Sequence, residues 1–143
     1  MIRTATGLDL PSIRAWIKSV PGFWHDEWRL GALEHAFQSA DGLAFVWEQD
    51  GNILGFSCAH DVGFLGYISL LVVSDSARGK RIGQELIQQT ERELARRGRA
   101  TLISDVWQDA IGFSKTLGWA SPKRYAESRV SIIVWEANST AGV

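Results

Sequence analysis

One segment constrains the fold of this chain more than any other, residues 67–87, which read Tyr-Ile-Ser-Leu-Leu-Val-Val-Ser-Asp-Ser-Ala-Arg-Gly-Lys-Arg-Ile-Gly-Gln-Glu-Leu-Ile. The apolar run at 68–73 predicts a buried strand, and a short polar turn follows it. From Ile82 onward, apolar side chains recur at helical spacing, so a helix at 82–97 can pack one face against a sheet. The segment therefore predicts a strand, a turn and a helix at the centre of the fold.

The start of this helix predicts a phosphate-binding site. The first amides of a helix have no internal acceptor, and the helix dipole is positive there. Gly79 and Gly83 allow backbone to approach a ligand closely, and Arg78, Lys80 and Arg81 add positive charge. The chain contains no P-loop motif, and no dinucleotide-binding glycine motif opens it. A phosphate-bearing ligand of another class is expected; an ordinary turn with solvated arginines is the alternative.

Composition limits the class of protein. The chain has 143 residues, of which 45% are hydrophobic and 22% charged, and we expect one globular domain at 1–143 with a frayed tail at 137–143. The net charge of −1 predicts neither nucleic acid nor an anionic membrane as a partner. Cys58 is the only cysteine, which favours a reducing, cytoplasmic location. Three scattered histidines with one cysteine predict no metal site.

The remaining segments predict a complete order of elements. Periodicity and turn residues give strands at 2–5, 43–48, 53–60, 68–73, 101–105 and 129–136, and helices at 9–20, 24–38, 82–97 and 110–117. Asp50 and Gly51 predict a tight hairpin between the second and third strands. A helix connects 68–73 to 101–105, so these two strands should be parallel. The order is β-α-α-β-β-β-α-β-α-β, an α/β (α+β) fold.

The residues around the turn resemble the pyrophosphate-binding segment of the GCN5-related N-acetyltransferase (GNAT) superfamily. That pattern is Gln or Arg, two residues, Gly, one residue, then Gly or Ala; Arg78 fits its first position and Gly83 its last. Arg81 stands where the middle glycine is usual, which is acceptable if its φ is helical. Residues 110–119, which end in Gly118-Trp119, resemble the family's late helix. The resemblance covers the chain from about Ile2 to Trp135.

The resemblance implies a fold and a cofactor. The fold is a mixed, mostly antiparallel sheet with helices on both faces, in which the two parallel strands separate at their carboxyl ends. Acetyl-CoA enters the gap as co-substrate, and its pantetheine amides pair with the edge of the first parallel strand. The residues implied to bind acetyl-CoA are Leu71, Val72, Val73, Arg78, Gly79, Lys80, Arg81, Ile82, Gly83 and Gln84.

The resemblance assigns the catalytic residues less directly than the residues that bind the cofactor. The family often has a tyrosine in the late helix as general acid, and Ser114 occupies that position here. A serine is a weak acid, so Ser114 either bonds the sulfur or only faces the cofactor. Asp105, at the end of the second parallel strand, is the first choice for general base, with a helix cap or a solvated aspartate as the alternative. His60 is expected to cap a turn or face water.

The predicted function is acetyl transfer from acetyl-CoA to a primary amine of a small molecule or of a protein N-terminus. The alternative is a non-catalytic acyl-CoA-binding regulatory domain, because the tyrosine, asparagine and glutamate common in the family are absent and Ser114, Trp107 and Ser69 stand in their places. Nucleic-acid binding would rest only on the basic cluster Arg92, Arg96, Arg97 and Arg99, which is explained more simply as a helix C-terminus. A homodimer is compatible with a domain of this size. The resemblance implies that His25, Asp26 and Glu27 line the acceptor pocket, with a solvated first helical turn as the alternative, and substrate contact would be tested at Trp24, Trp28 and Trp107.

Overall fold

The computed structural model of the protein describes residues 1–99, 101–107, 120–123 and 130–136. Its strands and helices are, in chain order, β1 Ile2–Thr4, α1 Leu10–Ser19, α2 Ala32–Ala40, β2 Ala44–Gln49, β3 Asn52–Asp61, β4 Gly66–Val73, α3 Ile82–Arg96, β5 Thr101–Trp107, β6 Ala120–Lys123 and β7 Val130–Glu136. Short 3₁₀ turns precede α1 at Gly7–Asp9 and follow β4 at Asp75–Ala77.

The strands form one mixed sheet. Within the described residues, seven strands lie in the order β1-β2-β3-β4-β5-β7-β6. β4 and β5 run parallel, and every other neighbouring pair in this part of the chain is antiparallel. Helix α3 supplies the crossover that a parallel pair needs. The prediction of a mixed, mostly antiparallel sheet with one parallel central pair is confirmed.

Helices cover both faces of this sheet. A Cβ on Gly55 of β3 would lie 2.7 Å from the Cγ2 of Ile82, so this position faces α3. Side chains alternate along a strand, so Cys58 faces the other way, and its Sγ lies 3.6 Å from the carbonyl oxygen of Ala36 in α2. α1 buries Ile13 and shares that second face. The predicted two-sided packing is therefore confirmed.

The hairpin between β2 and β3 has the predicted turn. Asp50 and Gly51 both have positive φ, 52° and 80°. Two central residues with positive φ define a type I′ turn, whose twist matches that of the paired strands. The pairing of Gln49 with Asn52 closes the hairpin.

The second helix is shorter than the sequence predicts. Trp24, Trp28, Ala32 and Ala36 have helical spacing, but α2 begins only at Ala32. Gly31 has a φ of 81°, which is outside the helical region, so a helix cannot continue through it. Residues 24–31 form turns, and the predicted helix at 24–38 is wrong over its first two turns.

Strand β6 was not predicted. It contains Pro122 and lies at the edge of the sheet, where a residue without an N–H group is tolerated. The predicted helix at 110–117 and the predicted tail at 137–143 lie outside the described residues. Among the described helices, none combines the length and the apolar character that crossing a bilayer requires.

Candidate active site

The central parallel pair separates partway along its length. β4 and β5 pair over three positions, the last of which joins Ile68 to Ser104. β4 then continues to Val73 along β3, and β5 continues to Trp107 along β7. In the described part of the chain, the β5-facing backbone of 69–73 therefore has no strand partner. Such an edge can accept an extended ligand as an added strand.

Ser69 forms a β-bulge where the strands separate. Its neighbours Ile68 and Leu70 pair with Ala59 and Cys58, which are consecutive residues of β3, so Ser69 has no residue opposite it. A bulge bends its strand and redirects the side chain. The Ser69 side chain is exposed, although β4 is an interior strand of the sheet.

The turn after β4 contains two left-handed residues. Gly79 has a φ of 84°, and Arg81, which immediately precedes α3, has a φ of 63°. The condition of a helical φ at Arg81 is therefore not met. A non-glycine residue in this region costs roughly 1–2 kcal/mol, which explains why glycine is usual at this position in the family pattern. Arg81 adopts the glycine-like conformation and adds a positive charge to the turn.

The first amides of α3 are available to an anion. Arg81 has no side-chain acceptor, and its carbonyl oxygen accepts the first helical bond, from Glu85 N at 2.9 Å. No group in the described segments accepts a hydrogen bond from the amides of Ile82, Gly83 or Gln84. The side chains of Arg78, Lys80 and Arg81, in the turn that precedes these amides, are exposed. Positive charge and unpaired donors therefore meet at this turn.

Arg78 is already held by a carboxylate. Its Nη2 lies 3.0 Å from the Oδ1 of Asp75, three residues earlier. Both side chains are more than half exposed, so the ion pair is weak and a stronger anion can replace it. Arg78 lies in the turn that precedes α3, which is compatible with its predicted role.

A group of polar side chains lies behind the bulge on the α2 side of the sheet. This histidine cluster consists of Ser39 on α2, Cys58 and His60 on β3, and Ser69 on β4. His60 Nε2 lies 2.7 Å from Ser69 Oγ, and His60 Nδ1 lies 3.1 Å from Ser39 Oγ. Ser69 Oγ is also 3.2 Å from the carbonyl oxygen of Cys58. The expectation that His60 caps a turn or faces water is wrong, because both ring nitrogens contact serine hydroxyls.

Burial sets the protonation of this cluster. It lowers the pKa of His60, against a smaller opposing effect of the Ser39 backbone, so the imidazole is mainly neutral at pH 7. Burial also raises the pKa of Cys58 to about 11, so its thiol stays protonated. The cluster therefore contains one neutral base, His60, in contact with an exposed hydroxyl.

Asp105 and Ser114, the two predicted catalytic residues, both stay predictions. Asp105 belongs to β5 and follows Ser104, which makes the last pair with β4, so its backbone lies where the strands separate. The side chain of Asp105 is outside what the structure describes, and Ser114 lies outside the described residues altogether. Ser104 Oγ donates to the carbonyl oxygen of Ile68 at 3.2 Å. This contact lies at the point where β4 and β5 separate, which is called the fork below.

Other polar residues near the sheet and α3 have partners within the protein. Asp61 Oδ1 lies 2.7 Å from Arg99 Nε and accepts from Gly63 N, and these contacts lower the pKa of Asp61. Arg96 and Arg97 pair with Glu93. Most of the basic cluster at the end of α3 is thus engaged in ion pairs within the protein.

Three aromatic side chains pack together in the turns at 24–31. The rings of Trp24 and Trp28 meet edge to face with centroids 5.2 Å apart, and the His25 ring is also 5.2 Å from Trp28. Lys18 Nζ lies 4.9 Å from the centre of the Trp24 ring.

Within the described segments, no group of three His, Cys, Asp or Glu residues could hold a metal ion.

Sequence comparison identifies the family. Residues 10–119 match the family described as acetyltransferase (GNAT) family, and this covers most of the chain. The protein therefore belongs to the GNAT acetyltransferase family, which confirms the resemblance and the predicted enzyme class. A comparison with curated proteins found no significant match.

Solved structures share the fold. A ribosomal-protein-S18-alanine N-acetyltransferase from Escherichia coli is 22% identical, with a TM-score of 0.71 over 94% of this chain and 90% of that one. An aminoglycoside 6'-N-acetyltransferase in complex with coenzyme A is 16% identical, with a TM-score of 0.77 over 96% and 97%. A putative acetyltransferase, yncA, from Salmonella typhimurium with acetyl-CoA is 16% identical, with a TM-score of 0.76 over 96% and 93%. These similarities confirm the predicted fold.

Proposed function

We propose that the protein transfers the acetyl group of acetyl-CoA to a primary amine of a small molecule or of a protein N-terminus. The observation that carries this proposal is the edge of β4 at 69–73, followed by the turn into α3; among the described residues, neither this edge nor the first amides of α3 have a partner. Family membership supports acetyl transfer. Two structural neighbours are named for acceptors of these two kinds, a ribosomal-protein alanine and an aminoglycoside.

The residues on this path fit acetyl-CoA. A pantetheine arm carries amides that can pair with the main chain of Leu71 and Val73. The two phosphates require cations and N–H donors, which Arg78, Lys80 and the turn up to Gln84 provide. Structural neighbours with coenzyme A or acetyl-CoA bound support the same ligand. Main-chain recognition also explains why apolar side chains suffice along 70–73.

Acetyl transfer sets three chemical requirements. The attacking amine must be neutral, whereas a primary amine has a pKa of about 10, so a base must remove a proton. An N–H donor must stabilise the negative charge on the thioester oxygen, a role for the backbone near Leu71 or Val72. The departing thiolate can accept a proton from a general acid. Asp105 and Ser114 remain the sequence-based candidates for base and acid.

Release of free thiol tests this function. Purified protein is incubated with acetyl-CoA and a panel of small primary amines and short peptides with free N-termini. We expect thiol release that depends on both the protein and one class of amine. CoA binding without thiol release across the panel would contradict the proposal and support the regulatory alternative. Absence of CoA binding would contradict both.

Location and assembly remain predictions. The buried free thiol of Cys58 is compatible with a reducing compartment, and we propose a cytoplasmic location. We also propose a homodimer, and a measurement of molecular mass in solution tests it.

A further inference from the structure

The histidine cluster lies at the fork of the proposed active site. Ser69 is the first residue of β4 beyond the last pair with β5, so its position is next to the open edge. Its side chain is exposed, whereas the strand residues on either side, Ile68 and Leu70, are buried or partly buried. An exposed hydroxyl inside a central strand is unusual, because such positions normally pack against a covering layer. The bulge places this hydroxyl at the fork and His60 directly behind it.

The hydrogen bonds of His60 are compatible with a proton on Nδ1. Ser39 Oγ donates to the carbonyl oxygen of Ala36 at 3.1 Å, so its lone pairs remain to accept from His60 Nδ1. With the proton on Nδ1, Nε2 is the bare nitrogen. Ser69 Oγ has one proton and two acceptors within reach, the carbonyl oxygen of Cys58 at 3.2 Å and Nε2 at 2.7 Å, and in this tautomer the proton goes to Nε2, which makes the shorter contact. Ser39 thus orients the ring, and the basic nitrogen points at the exposed hydroxyl.

We propose that Ser69 and His60 form the proton relay that deprotonates the acceptor amine. This inference rests on the proposed function. The amine nitrogen bonds to the thioester carbonyl carbon, and the carbon–sulfur bond breaks with its electron pair on sulfur. The nitrogen's proton passes to Ser69 Oγ as the proton of Ser69 passes to His60 Nε2. The imidazolium then returns this proton to water, from which the thiolate is protonated.

The surroundings of His60 favour this role over others. Among the described side chains, the titratable ones near it are Cys58 on its own strand, 3.9 Å from Nε2, and Tyr67 on β4, with ring centroids 6.4 Å apart. Cys58 is buried and protonated, so it neither competes as a base nor serves as a nucleophile. From α2, Ser39 makes the contact and is uncharged; His35 lies one turn before it. A neutral imidazole in such surroundings is ready to accept a proton.

Four variants test the relay. His60→Gln removes the base, Ser69→Ala removes the hydroxyl, and Ser69→Thr keeps it. His35→Gln, an exposed histidine on α2, is the matched control. For each variant, kcat and KM for acetyl-CoA are measured at saturating amine across a range of pH, and CoA affinity is measured by calorimetry. Asp105→Asn is measured in parallel because it is the competing base.

The expected result is a loss in kcat without a loss in CoA affinity. His60→Gln and Ser69→Ala should lower kcat by about a hundredfold or more, and Ser69→Thr should restore most of it. Wild-type kcat should fall toward acidic pH as His60 becomes protonated, and this limb should disappear in His60→Gln but not in His35→Gln. Unchanged kcat in His60→Gln, or loss of the acidic limb in Asp105→Asn alone, would overturn the relay and leave the proposed function intact.

Two further measurements separate the remaining outcomes. Nitrogen-15 NMR of the wild type should show His60 protonated on Nδ1, and Ser39→Ala should weaken that preference. A wild-type ring protonated on Nε2 would overturn the relay, and this result does not depend on whether any variant folds. Protein incubated with acetyl-CoA alone should keep its mass. An acetyl group on Ser69 would show a covalent intermediate and contradict the relay. A wild type that binds CoA but acetylates no amine would overturn the proposed function itself.

Discussion

Gly55 and Gly66 determine how closely α3 approaches the sheet. A Cβ on Gly55 would lie 2.7 Å from the Cγ2 of Ile82, and one on Gly66 would lie 2.5 Å from a methyl group of Leu94. Both distances are shorter than a carbon–carbon contact allows, so a larger residue would push the helix away. Because Ile82 opens α3, its packing against Gly55 also fixes the amides that are proposed to bind phosphate.

Replacement of Gly55 by alanine should therefore destabilise the protein. We expect Gly55→Ala to lower the free energy of unfolding by about 1–3 kcal/mol, because the extra methyl group overlaps Ile82 and Leu86. Urea denaturation measures the change. Gly7→Ala is the matched control, since nothing lies within 4 Å of a Cβ there. Equal stability of the two variants would show that α3 can move away at no cost.

Arg78 carries the clearest side-chain prediction for binding. We expect Arg78→Ala to weaken CoA binding by roughly tenfold, because one charge-assisted contact to phosphate is lost. Asp75→Asn should leave affinity unchanged or raise it, because Asp75 holds Arg78 in the free protein. Calorimetry measures both, with Arg92→Ala as a control on the exposed side of α3. An affinity of Arg78→Ala equal to that of the wild type would remove this residue from the site.

At the scale of elements, long and regular segments were predictable. The apolar run of β4 and the helical spacing of α3 gave both elements with ends within two residues of the structure. The Asp50-Gly51 pair gave the hairpin, because few residues other than glycine and aspartate favour a type I′ turn. These signals are local, so one sequence suffices to interpret them.

Elements that depend on a single backbone angle or on distant partners were not predictable. The helical spacing of Trp24 and Trp28 was misleading because the φ of Gly31 ends the helix, and β6 is short and contains a proline. The histidine cluster joins Ser39, His60 and Ser69 from three elements. Its contacts depend on the β3–β4 register and on the bulge at Ser69, which no local pattern specifies.

At the scale of the whole molecule, ion pairs connect parts of the chain that are distant in sequence. Arg3 on β1 contacts Asp9, which precedes α1, at 2.8 Å and Glu48 on β2 at 2.9 Å. The Arg3 guanidinium, helped by the amide of Thr6, holds the pKa of Asp9 at about 2 instead of 3.8. The same arginine lowers the pKa of Glu48. The network fastens the N-terminal strand and the start of α1 to the sheet.

These shifts predict how stability depends on pH. A carboxyl group whose pKa is depressed on folding stabilises the protein above its unfolded pKa, and this contribution disappears as the pH falls through the folded pKa. For Asp9, that window extends from 3.8 down to about 2. Asp9→Asn should therefore lower the free energy of unfolding at neutral pH by about 1 kcal/mol, a value reduced for solvent screening of a partly exposed pair.

Urea denaturation at neutral pH and at a pH near the lower end of that window provides the measurement. The difference between wild type and Asp9→Asn should shrink toward zero at the acidic pH, where the wild-type carboxyl is also protonated. Asp26→Asn, on an exposed turn, should change stability at neither pH. A constant difference at both pH values would mean that Asp9 acts through packing and not through its charge.

Backbone NMR during titration with CoA tests the central claim most directly. If the open edge of β4 and the start of α3 form the cofactor site, the amide signals of Leu71, Val73, Ile82, Gly83 and Gln84 should shift with a common saturation curve. Amides at the far end of the sheet, such as those of Gln49 and Asn52, should not. Saturable shifts confined to other surfaces, or none at millimolar CoA, would contradict the account.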